Sequence, residues 1–523
     1  MTPSLLQDLV RISAARTPQA TALIDGDARL DYAGLAESLK HFADGLLQLG
    51  LQRGERVAIY LEKRFETVIA SFGSAAAGCV FVPINPLLKP AQVEHILRDC
   101  NVRALVTSPE RLALLAETLD RCPDLRHRIV TGAAAPPAIA WNDLLAAPAG
   151  TPHRVIDTDM AAIFYTSGST GKPKGVVLSH RNFVAGAASV ASYLENRADD
   201  VLLAALPLSF DAGFSQLTTA FHAGAAVVLL NYLLPRDVLK AMARHGVTGL
   251  TAVPPLYIQL AGLDWPPEIA ARLRYFANTG GVLPRETLAA LRQRLPHSRP
   301  FLMYGLTEAF RSTYLPPEEI DRRPGSIGKA IPNAEILVLR PDGTPCEADE
   351  PGELVHRGAL VGMGYWNDPE KTAERYRPLP PELRPEGLVL PEIAVFSGDT
   401  VRRDGDGFLY FIGRRDEMIK TSGYRVSPAE VEEIVYATGL VGECVAFGLP
   451  HPTLGQSIEV RVTRAGGLPV DLPALLAECR QRMPAYMVPN IAEYPAPHFP
   501  RNANGKIDRH RLATGAMTDA IGE

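Results

Sequence analysis

The 523-residue chain has little of what marks nucleic-acid-binding, disordered or secreted proteins. Its 53 lysines and arginines are outnumbered by 58 aspartates and glutamates, and the net charge of −5 gives no general attraction to polyanions. Charged residues make up 21% of the chain and hydrophobic residues 46%, which is typical of a globular protein. We therefore expect neither a nucleic-acid partner nor extended disorder, and the length predicts roughly three to four structural units.

Closely spaced cysteines are also lacking. The six cysteines are far apart in sequence, without a CxxC pair and without neighbouring histidines. This spacing disfavours a zinc site or a disulfide scaffold and predicts a reducing compartment, the cytoplasm. No cationic segment precedes an apolar run at the N-terminus, so no secretory signal is expected.

One uncharged stretch, from Thr67 to Leu88, is long enough to be tested as a membrane span. Pro83, Asn85 and Pro86 interrupt it, and it is rich in small residues. It therefore predicts a buried helix followed by a strand beginning at Cys79, and no membrane span.

Most of the chain alternates between helical patterns and short apolar runs, which predicts an α/β fold with parallel-type sheets covered on both faces. Thr2 as N-cap and Pro3 as first helical residue predict a helix at the N-terminus. The apolar runs predicted as strands are 57–61, 104–106, 161–165, 202–206, 225–230 and 250–253.

The pattern changes after about residue 320. Dense Gly, Pro and Asp punctuation predicts a β-rich subdomain, and a capping sequence at Ser427-Pro428-Ala429-Glu430 predicts a helix start. Alternation around Ile458 predicts a strand, and Leu472 to Met483 a helix. We therefore expect a large N-terminal domain, 1–412, and a small α+β domain, 413–523.

The most informative loop follows the strand predicted at 161–165. It reads Tyr165-Thr166-Ser167-Gly168-Ser169-Thr170-Gly171-Lys172-Pro173-Lys174-Gly175-Val176. Glycine amides, hydroxyls and two lysines suit a polyphosphate, although such a composition alone also occurs in plain connecting loops. The loop is not a Walker A motif, because Thr166 stands at its first glycine position and Pro173 at its hydroxyl position.

This loop resembles the signature of the adenylate-forming superfamily, which comprises acyl-CoA synthetases, stand-alone adenylation enzymes and luciferases. The family's further motifs follow in order: Tyr304-Gly305-Leu306-Thr307-Glu308, Ser397-Gly398-Asp399-Thr400, Gly413-Arg414-Arg415-Asp416 through Gly423-Tyr424-Arg425, and Asn504-Gly505-Lys506-Ile507-Asp508-Arg509. The segments 308–314 and 356–360 resemble exosortase-associated acyl-CoA ligases and prolyl-type adenylation enzymes most closely.

The resemblance implies nucleotide-binding roles that the side chains support chemically. Tyr304 offers an aromatic face for adenine, Asp399 can accept the ribose hydroxyls, and Arg414 can reach ribose or phosphate. Thr307 supplies a hydroxyl for phosphate and Glu308 a carboxylate for Mg²⁺. The remaining residues assigned to ATP are Thr166, Ser167, Gly168, Ser169, Thr170, Gly171, Lys172, Lys174, Gly280, Gly281 and Gly305.

The resemblance also implies that the small domain moves. Lys506 is expected to contact the carboxylate and the α-phosphate during adenylation, where negative charge accumulates. The small domain then rotates about Asp416, so that Gly423 and Tyr424 line a channel for a thiol. This thiol belongs to CoA or to the phosphopantetheine of an acyl or peptidyl carrier protein.

The acid pocket implied by the resemblance is formed by Phe210, Asp211, Ala252, Asn278, Thr279, Met303 and Arg311. Its size and partly apolar lining predict a modest carboxylic acid. Asp211 leaves two interpretations open. In amino-acid-activating relatives, an aspartate at the matching position pairs the substrate ammonium. Here Arg311 or a helix end could instead satisfy Asp211 as a structural carboxylate.

These observations predict an ATP- and Mg²⁺-dependent, AMP-forming carboxylate:thiol ligase. The alternatives are a stand-alone amino-acid adenylation enzyme that loads a peptidyl carrier protein, and a nucleotide-binding relative without turnover. The retained Lys506, Glu308 and Asp399 disfavour the last of these.

Overall fold

The computed structural model describes residues 2–166, 173–387, 389–414, 418–421, 424–451, 454–466, 468–483, 487–501 and 507–513. The helices are α1 Asp8–Arg16, α2 Tyr32–Gln48, α3 Phe65–Ala77, α4 Pro90–Asp99, α5 Pro109–Leu114, α6 Ala116–Leu119, α7 Trp141–Leu145, α8 His180–Tyr193, α9 Asp211–Ala223, α10 Pro235–His245, α11 Pro254–Ala261, α12 Pro267–Arg272, α13 Arg285–Arg294, α14 Pro369–Arg375, α15 Pro428–Tyr436, α16 Leu472–Arg482 and α17 Arg509–Ala513. Short 3₁₀ helices occupy Thr307–Ala309, Pro317–Glu319 and Pro381–Leu383.

The strands in the described ranges form three sheets. They are β1 Thr21–Asp25, β2 Ala28–Asp31, β3 Arg56–Tyr60, β4 Val80–Pro83, β5 Ala104–Thr107, β6 His127–Val130, β7 Ile139–Ala140, β8 Met160–Thr166, β9 Lys174–Ser179, β10 Val201–Ala204, β11 Ala226–Leu229, β12 Gly249–Ala252, β13 Tyr275–Asn278, β14 Arg299–Tyr304, β15 Thr313–Leu315, β16 Ser326–Ala330, β17 Ala334–Leu339, β18 Gly352–Gly358, β19 Tyr376–Pro378, β20 Ile393–Arg403, β21 Leu409–Arg414, β22 Ile419–Thr421, β23 Tyr424–Val426, β24 Cys444–His451, β25 Gly455–Val462 and β26 Asn490–Glu493.

The first sheet has the order β7-β6-β5-β3-β4-β8-β9, and its neighbouring strands are parallel except for the antiparallel pair β8–β9. The central sheet has fourteen strands among the described residues, in the order β17-β18-β20-β21-β16-β15-β14-β13-β12-β10-β11-β1-β2 with β19 beside β20. Its β10 to β14 part is parallel, and its β15 to β21 part is antiparallel. The C-terminal sheet has the order β23-β22-β25-β24, with β26 beside β25.

The largest hydrophobic cluster joins the first and central sheets through the helices between them. Phe214 of α9 stacks on Phe81 of β4 with ring centroids 4.9 Å apart and on Phe72 of α3 at 5.5 Å. Buried aromatic rings contribute large apolar areas and specific ring geometries. This packing fixes α9, whose first residue is Asp211.

The sequence predictions of fold are confirmed in most elements. The predicted apolar runs coincide with β3, β5, β8, β10, β11 and β12. The Thr67 to Leu88 stretch is the buried helix α3, ended by Gly78 in the left-handed conformation, and then β4. Ser427 accepts a hydrogen bond from the Glu430 amide at the start of α15, and α16 begins at Leu472 as predicted.

The predicted N-terminal helix start is wrong. Helix α1 begins at Asp8 rather than after Thr2, because the Asp8 carboxylate accepts hydrogen bonds from the amides of Ser4 and Leu5 and holds that segment outside the helix. The Leu6 amide bonds Nδ1 of the buried His180, 3.1 Å away. The helix start is therefore set by the Asp8 carboxylate together with a contact to a residue 174 positions away.

None of the helices in the described ranges has the length and apolarity that a bilayer crossing requires. All six cysteines are described, buried and free of disulfide bonds.

The C-terminal sheet packs with α15 and α16 around a hydrophobic cluster of its own. The domain boundary at residues 412 and 413 stays a prediction.

Candidate active site

The predicted site residues collect at the carboxyl ends of parallel strands in the central sheet. Ala252, Asn278 and Tyr304 are the last residues of β12, β13 and β14, and Ala252 and Asn278 are register partners. Open α/β sheets bind ligands along this edge. The segment 305–312, which turns from β14 into β15, lies on the same edge.

Tyr304, Asp399 and Arg414 form one group. The Tyr304 hydroxyl donates to Asp399 Oδ2 at 2.5 Å, and Arg414 Nε lies 3.2 Å from Asp399 Oδ1. Asp399 and Arg414 are also register partners in β20 and β21. Burial, together with the Asp399 charge, raises the pKa of Tyr304 well above its ordinary value, so the phenol stays protonated. A carboxylate held beside a tyrosine and an arginine suits ribose hydroxyls.

Glu308, the predicted magnesium ligand, is oriented by Tyr365, a residue that the sequence analysis missed. The Tyr365 hydroxyl donates to Glu308 Oε1 at 2.5 Å. Burial and the Glu308 charge raise the pKa of Tyr365, so it remains a donor. The only sequence signal was the tyrosine in Gly364-Tyr365-Trp366, which no motif considered above includes.

Tyr365 also connects Glu308 with the phosphate loop. Its segment bonds to β9, where the Trp366 amide donates to Gly175 O at 2.7 Å and the Val177 amide to Gly364 O at 2.9 Å. Lys174 Nζ lies 5.8 Å from the centre of the Tyr365 ring. Thr166 and Lys174 are register partners in β8 and β9, so they bracket the loop.

Asp211, Thr307 and Arg311 form a second buried group. Thr307 Oγ1 donates to Asp211 Oδ1 at 3.0 Å, and Arg311 Nη1 contacts Asp211 Oδ2 at 3.2 Å. Both charged side chains are only 3% exposed. Burying this ion pair requires such mutual compensation, because an unpaired charge in the interior is strongly unfavourable. The structure thus contains the Asp211–Arg311 contact that the interpretation of Asp211 as a structural carboxylate requires.

A narrow cavity of about 20 Å³ adjoins this group, which is room for about one water molecule. Met303 and Arg311 of the predicted pocket line it, and α9 contributes Ala212, Ser215, Gln216 and Thr219. Among the described residues of the lining, Arg311 alone is charged. Arg311 Nε and Thr219 Oγ1 have no hydrogen-bond partner among the described residues.

The other predicted pocket residues lie near these strand ends without contributing to the cavity. Phe210 immediately precedes α9, and Asn278 Nδ2 donates to Gly281 O at 2.8 Å. Thr279 is buried, and Gly280 has a φ of 76°, which glycine adopts readily at such a turn. Gly305 is closely covered, since a Cβ there would lie 3.1 Å from the Arg311 Cα.

Several predicted residues lie outside the described residues, or have no described side chain, and their roles stay predictions: Ser167, Gly168, Ser169, Thr170, Gly171, Lys172, Asp416, Gly423, Tyr424 and Lys506. These include the phosphate loop itself, the hinge, the thiol channel and the proposed catalytic lysine.

The described residues fit an ATP-bound Mg²⁺ ion whose ligands are mostly water molecules and phosphate oxygens. Among them, no group of three or more His, Cys, Asp or Glu side chains is arranged to hold a metal ion. Glu308 is a single oriented carboxylate, and Mg²⁺ is commonly held by one or two carboxylates plus substrate phosphates. Glu308 would therefore hold Mg²⁺ together with ATP.

Comparison with known proteins supports the resemblance to adenylate-forming enzymes. Residues 10–366 match the family model described as AMP-binding enzyme, and residues 430–506 match the AMP-binding enzyme C-terminal domain. A feruloyl-CoA synthase from Amycolatopsis sp is 31% identical over 94% of this chain and 95% of its own length. An L-proline--[L-prolyl-carrier protein] ligase from Streptomyces coelicolor is 32% identical over 98% of this chain and 97% of its own length.

Solved structures agree in fold over nearly the whole length. An anthranilate CoA ligase in complex with anthranoyl-AMP has a TM-score of 0.87 at 26% identity, covering 98% of this chain and 97% of that one. The o-succinylbenzoate CoA synthetase from Bacillus subtilis, in complex with its acyl-adenylate intermediate, has a TM-score of 0.82 at 27% identity, with 98% and 99% covered. With its motifs in the predicted order and its family models matched in both parts, the chain belongs to the AMP-binding enzymes, the adenylate-forming superfamily.

Proposed function

We propose that the protein joins a small carboxylic acid to the thiol of free CoA through an acyl-adenylate. The acid carboxylate attacks the α-phosphorus of ATP, and the bond to the bridging oxygen breaks to release pyrophosphate. The thiolate then attacks the acyl carbon, AMP leaves, and the thiol proton passes to solvent. The family supplies the general reaction, an ATP- and Mg²⁺-dependent ligation of acid and thiol; the small acid and free CoA are our proposal.

The observation that carries this proposal is the segment from Tyr304 to Arg311. Its first residue contacts the Asp399 group suited to ribose. Its middle residues, Thr307 and Glu308, are the residues assigned to phosphate and metal, and Asp211 and Tyr365 hold them by hydrogen bonds. Its last residue, Arg311, belongs to the predicted acid pocket and lines the small cavity described above. One short segment thus carries residues assigned to the three parts that an acyl-adenylate contains: nucleoside, phosphate and acyl group.

Charge explains why these groups are needed together. Attack of a carboxylate on ATP brings two anions into contact, so cations and donors must be preorganised where charge accumulates. Lys174 and Arg414 are near the nucleotide groups, and Lys506 is proposed to complete the set. Asp416 is proposed as the hinge, and Gly423 and Tyr424 as the thiol channel.

A second candidate function is loading of an amino acid onto a carrier protein. The prolyl-carrier protein ligase from Streptomyces coelicolor, at 32% identity, and the presence of Asp211 at the start of α9 favour it. Its acceptor would be a phosphopantetheine thiol rather than free CoA.

The test is Mg²⁺-dependent ATP–pyrophosphate exchange with a panel of carboxylic and amino acids, followed by mass spectrometry of thioesters with free CoA and with carrier proteins. The proposal predicts acid-dependent exchange and an acyl-CoA product. Thioester on a carrier protein but not on CoA contradicts the proposed acceptor and favours the second candidate.

A further inference from the structure

The carboxylate of Asp211, which the resemblance places in the acid pocket, is already part of a buried ion pair. Asp211 begins α9, where its charge is favourable in the first helical turn. Its two oxygens meet Thr307 Oγ1 at 3.0 Å and Arg311 Nη1 at 3.2 Å. Since Thr307 is assigned to phosphate and Arg311 lines the cavity, Asp211 connects the phosphate side of the site with its acid side.

The loop that Asp211 holds has an unusual backbone. Phe310 has φ 57° and ψ −55°, and the Arg311 amide donates to Ala309 O at 2.6 Å, which makes a tight γ-turn with positive φ. This turn is rare and strained for a residue with a side chain, so the surroundings must hold it.

Two contacts keep this turn in place. The Phe310 ring lies directly against Gly186. A Cβ added at Gly186 would be 2.5 Å from the Cδ1 atom of Phe310. On the other side, Arg311 Nη1 bonds both Asp211 Oδ2 and Phe310 O. The ion pair therefore stabilises the strained segment that follows Thr307 and Glu308 directly.

The charges next to the cavity do not suit an ammonium. Asp211 is compensated by Arg311, and this same arginine is the one charged side chain among the described residues that line the cavity. The rest of the lining consists of apolar and neutral hydrogen-bonding residues, including Ser215, Gln216 and Thr251. An ammonium there would need an uncompensated carboxylate beside it, and no described residue of the lining supplies one.

We infer that Asp211 is a positioning residue, which holds Thr307 and the Glu308 segment through Arg311, and that the substrate is therefore an acid without an ammonium group. This inference rests on the proposed function and deepens it by naming the substrate class. It assigns Asp211 to the ATP side of catalysis, rather than to recognition of an amine.

The first experiment uses the full-length wild-type protein. ATP–pyrophosphate exchange is measured with matched pairs, each an α-amino acid and the same acid without its amino group, such as alanine with propionate and phenylalanine with 3-phenylpropionate. We expect exchange with the acids that lack the amino group. Exchange confined to the amino acids overturns the inference but leaves the AMP-forming reaction in place, whereas absence of exchange with every acid overturns both.

The second experiment compares Asp211→Asn with Asp211→Ala on one accepted acid. Asparagine retains an acceptor for Thr307, whereas alanine removes both contacts. We expect the kcat of adenylation to fall on the order of 10- to 100-fold in Asp211→Ala, because small displacements of positioning groups are costly. The half-saturating Mg·ATP concentration should rise in the order wild type, asparagine, alanine, with a smaller change in the KM of the acid.

A merely structural role would lower the fraction of active enzyme without this graded rise for Mg·ATP. An amine-binding role would raise the KM of amino acids alone. Either result contradicts the inference, and if Asp211→Ala does not fold, the wild-type pairs and Asp211→Asn still decide it.

Discussion

Tyr365 illustrates how one hydroxyl outside the sequence motifs can control a motif residue. It donates to Glu308 Oε1, while its segment bonds to β9 beside the phosphate loop. Loss of a group that orients a metal ligand typically lowers metal affinity or activity by about 10- to 100-fold. The Glu308 carboxylate is therefore preorganised from the side of the loop that is expected to bind ATP.

We predict that Tyr365→Phe raises the half-saturating Mg²⁺ concentration, or lowers the rate of adenylation, by about 10-fold or more. Such a loss is typical when a bond that orients a metal ligand is removed. The measurement is pyrophosphate exchange over a Mg²⁺ titration. Tyr376→Phe is the matched control, because the Tyr376 hydroxyl contacts the backbone oxygen of Glu308, at 3.4 Å, and not its carboxylate. Equal effects of the two substitutions would contradict the role of Tyr365.

Lys506 is the second residue whose contribution can be isolated. We predict that Lys506→Ala lowers adenylation by about 10²- to 10³-fold, the usual cost of losing one donor at developing negative charge. Thioester formation from chemically prepared acyl-AMP should remain near wild type. The exposed Lys240 of α10 provides the control substitution, and loss of both half-reactions in Lys506→Ala would refute a role confined to adenylation.

At the scale of elements, the start of α9 determines where Asp211 points. Gly213 lies so close to the preceding turn that a Cβ would overlap the carbonyl oxygen of Pro207. Because that obstacle is backbone, it cannot move aside as a flexible side chain would. The glycine is thus needed for the approach of α9 to the 205–210 segment.

We predict that Gly213→Ala destabilises the protein by about 1–3 kcal/mol, in the range of other overpacking substitutions, and reduces adenylation by displacing Asp211. Gly405→Ala is the control, since a Cβ there meets nothing within 4 Å. Thermal unfolding midpoints and exchange rates of the two variants are compared. Equal unfolding midpoints and equal exchange rates for Gly213→Ala and Gly405→Ala would contradict the need for glycine at position 213.

The elements themselves were largely readable from the sequence, because apolar runs and turn residues are local signals. The motifs also predicted Tyr304, Thr307 and Asp399 as site residues, and the structure places Tyr304 against Asp399 and Thr307 against Asp211. What could not be read were contacts between distant residues, such as the bond of Leu6 to His180, or that of Tyr365 to Glu308. The γ-turn at Phe310 was equally inaccessible, because tertiary packing maintains it against local preference.

For the whole molecule, two buried histidines predict an acid-sensitive fold. Burial lowers the pKa of His356 to about 3 and that of His180 to about 4, against an ordinary value of 6.5. The unfolded state therefore binds more protons than the folded state between these values, and the free energy of unfolding falls as pH drops below about 6.5. At pH 5 the loss is about 2 kcal/mol for each histidine.

His356→Gln should remove part of this slope between pH 7 and pH 5, whatever its effect at neutral pH. The measurement is the unfolding midpoint of wild type and variant across that range. His356 Nδ1 lies 2.9 Å from Ser312 Oγ, so the variant can lose stability at every pH; only the slope is diagnostic. Parallel pH profiles would contradict the assignment.

The two half-reactions need different surroundings for one acyl-adenylate, and the proposed rotation about Asp416 provides them. We predict that Asp416→Pro impairs thioester formation strongly while largely sparing pyrophosphate exchange, because proline restricts φ at the hinge. Asp416→Ala, which keeps backbone freedom, is the control. Equal loss of both half-reactions in the proline variant would count against a hinge at this residue.

The most direct measurement follows the phosphates of ATP labelled at the α- and γ-positions, in the presence of Mg²⁺ and an accepted acid but without thiol. We predict acid-dependent release of the β- and γ-phosphates together as pyrophosphate, with the α-label retained in an acyl-adenylate that yields AMP when CoA is added. Formation of ADP and inorganic phosphate, or release of pyrophosphate that does not depend on the acid, would contradict it.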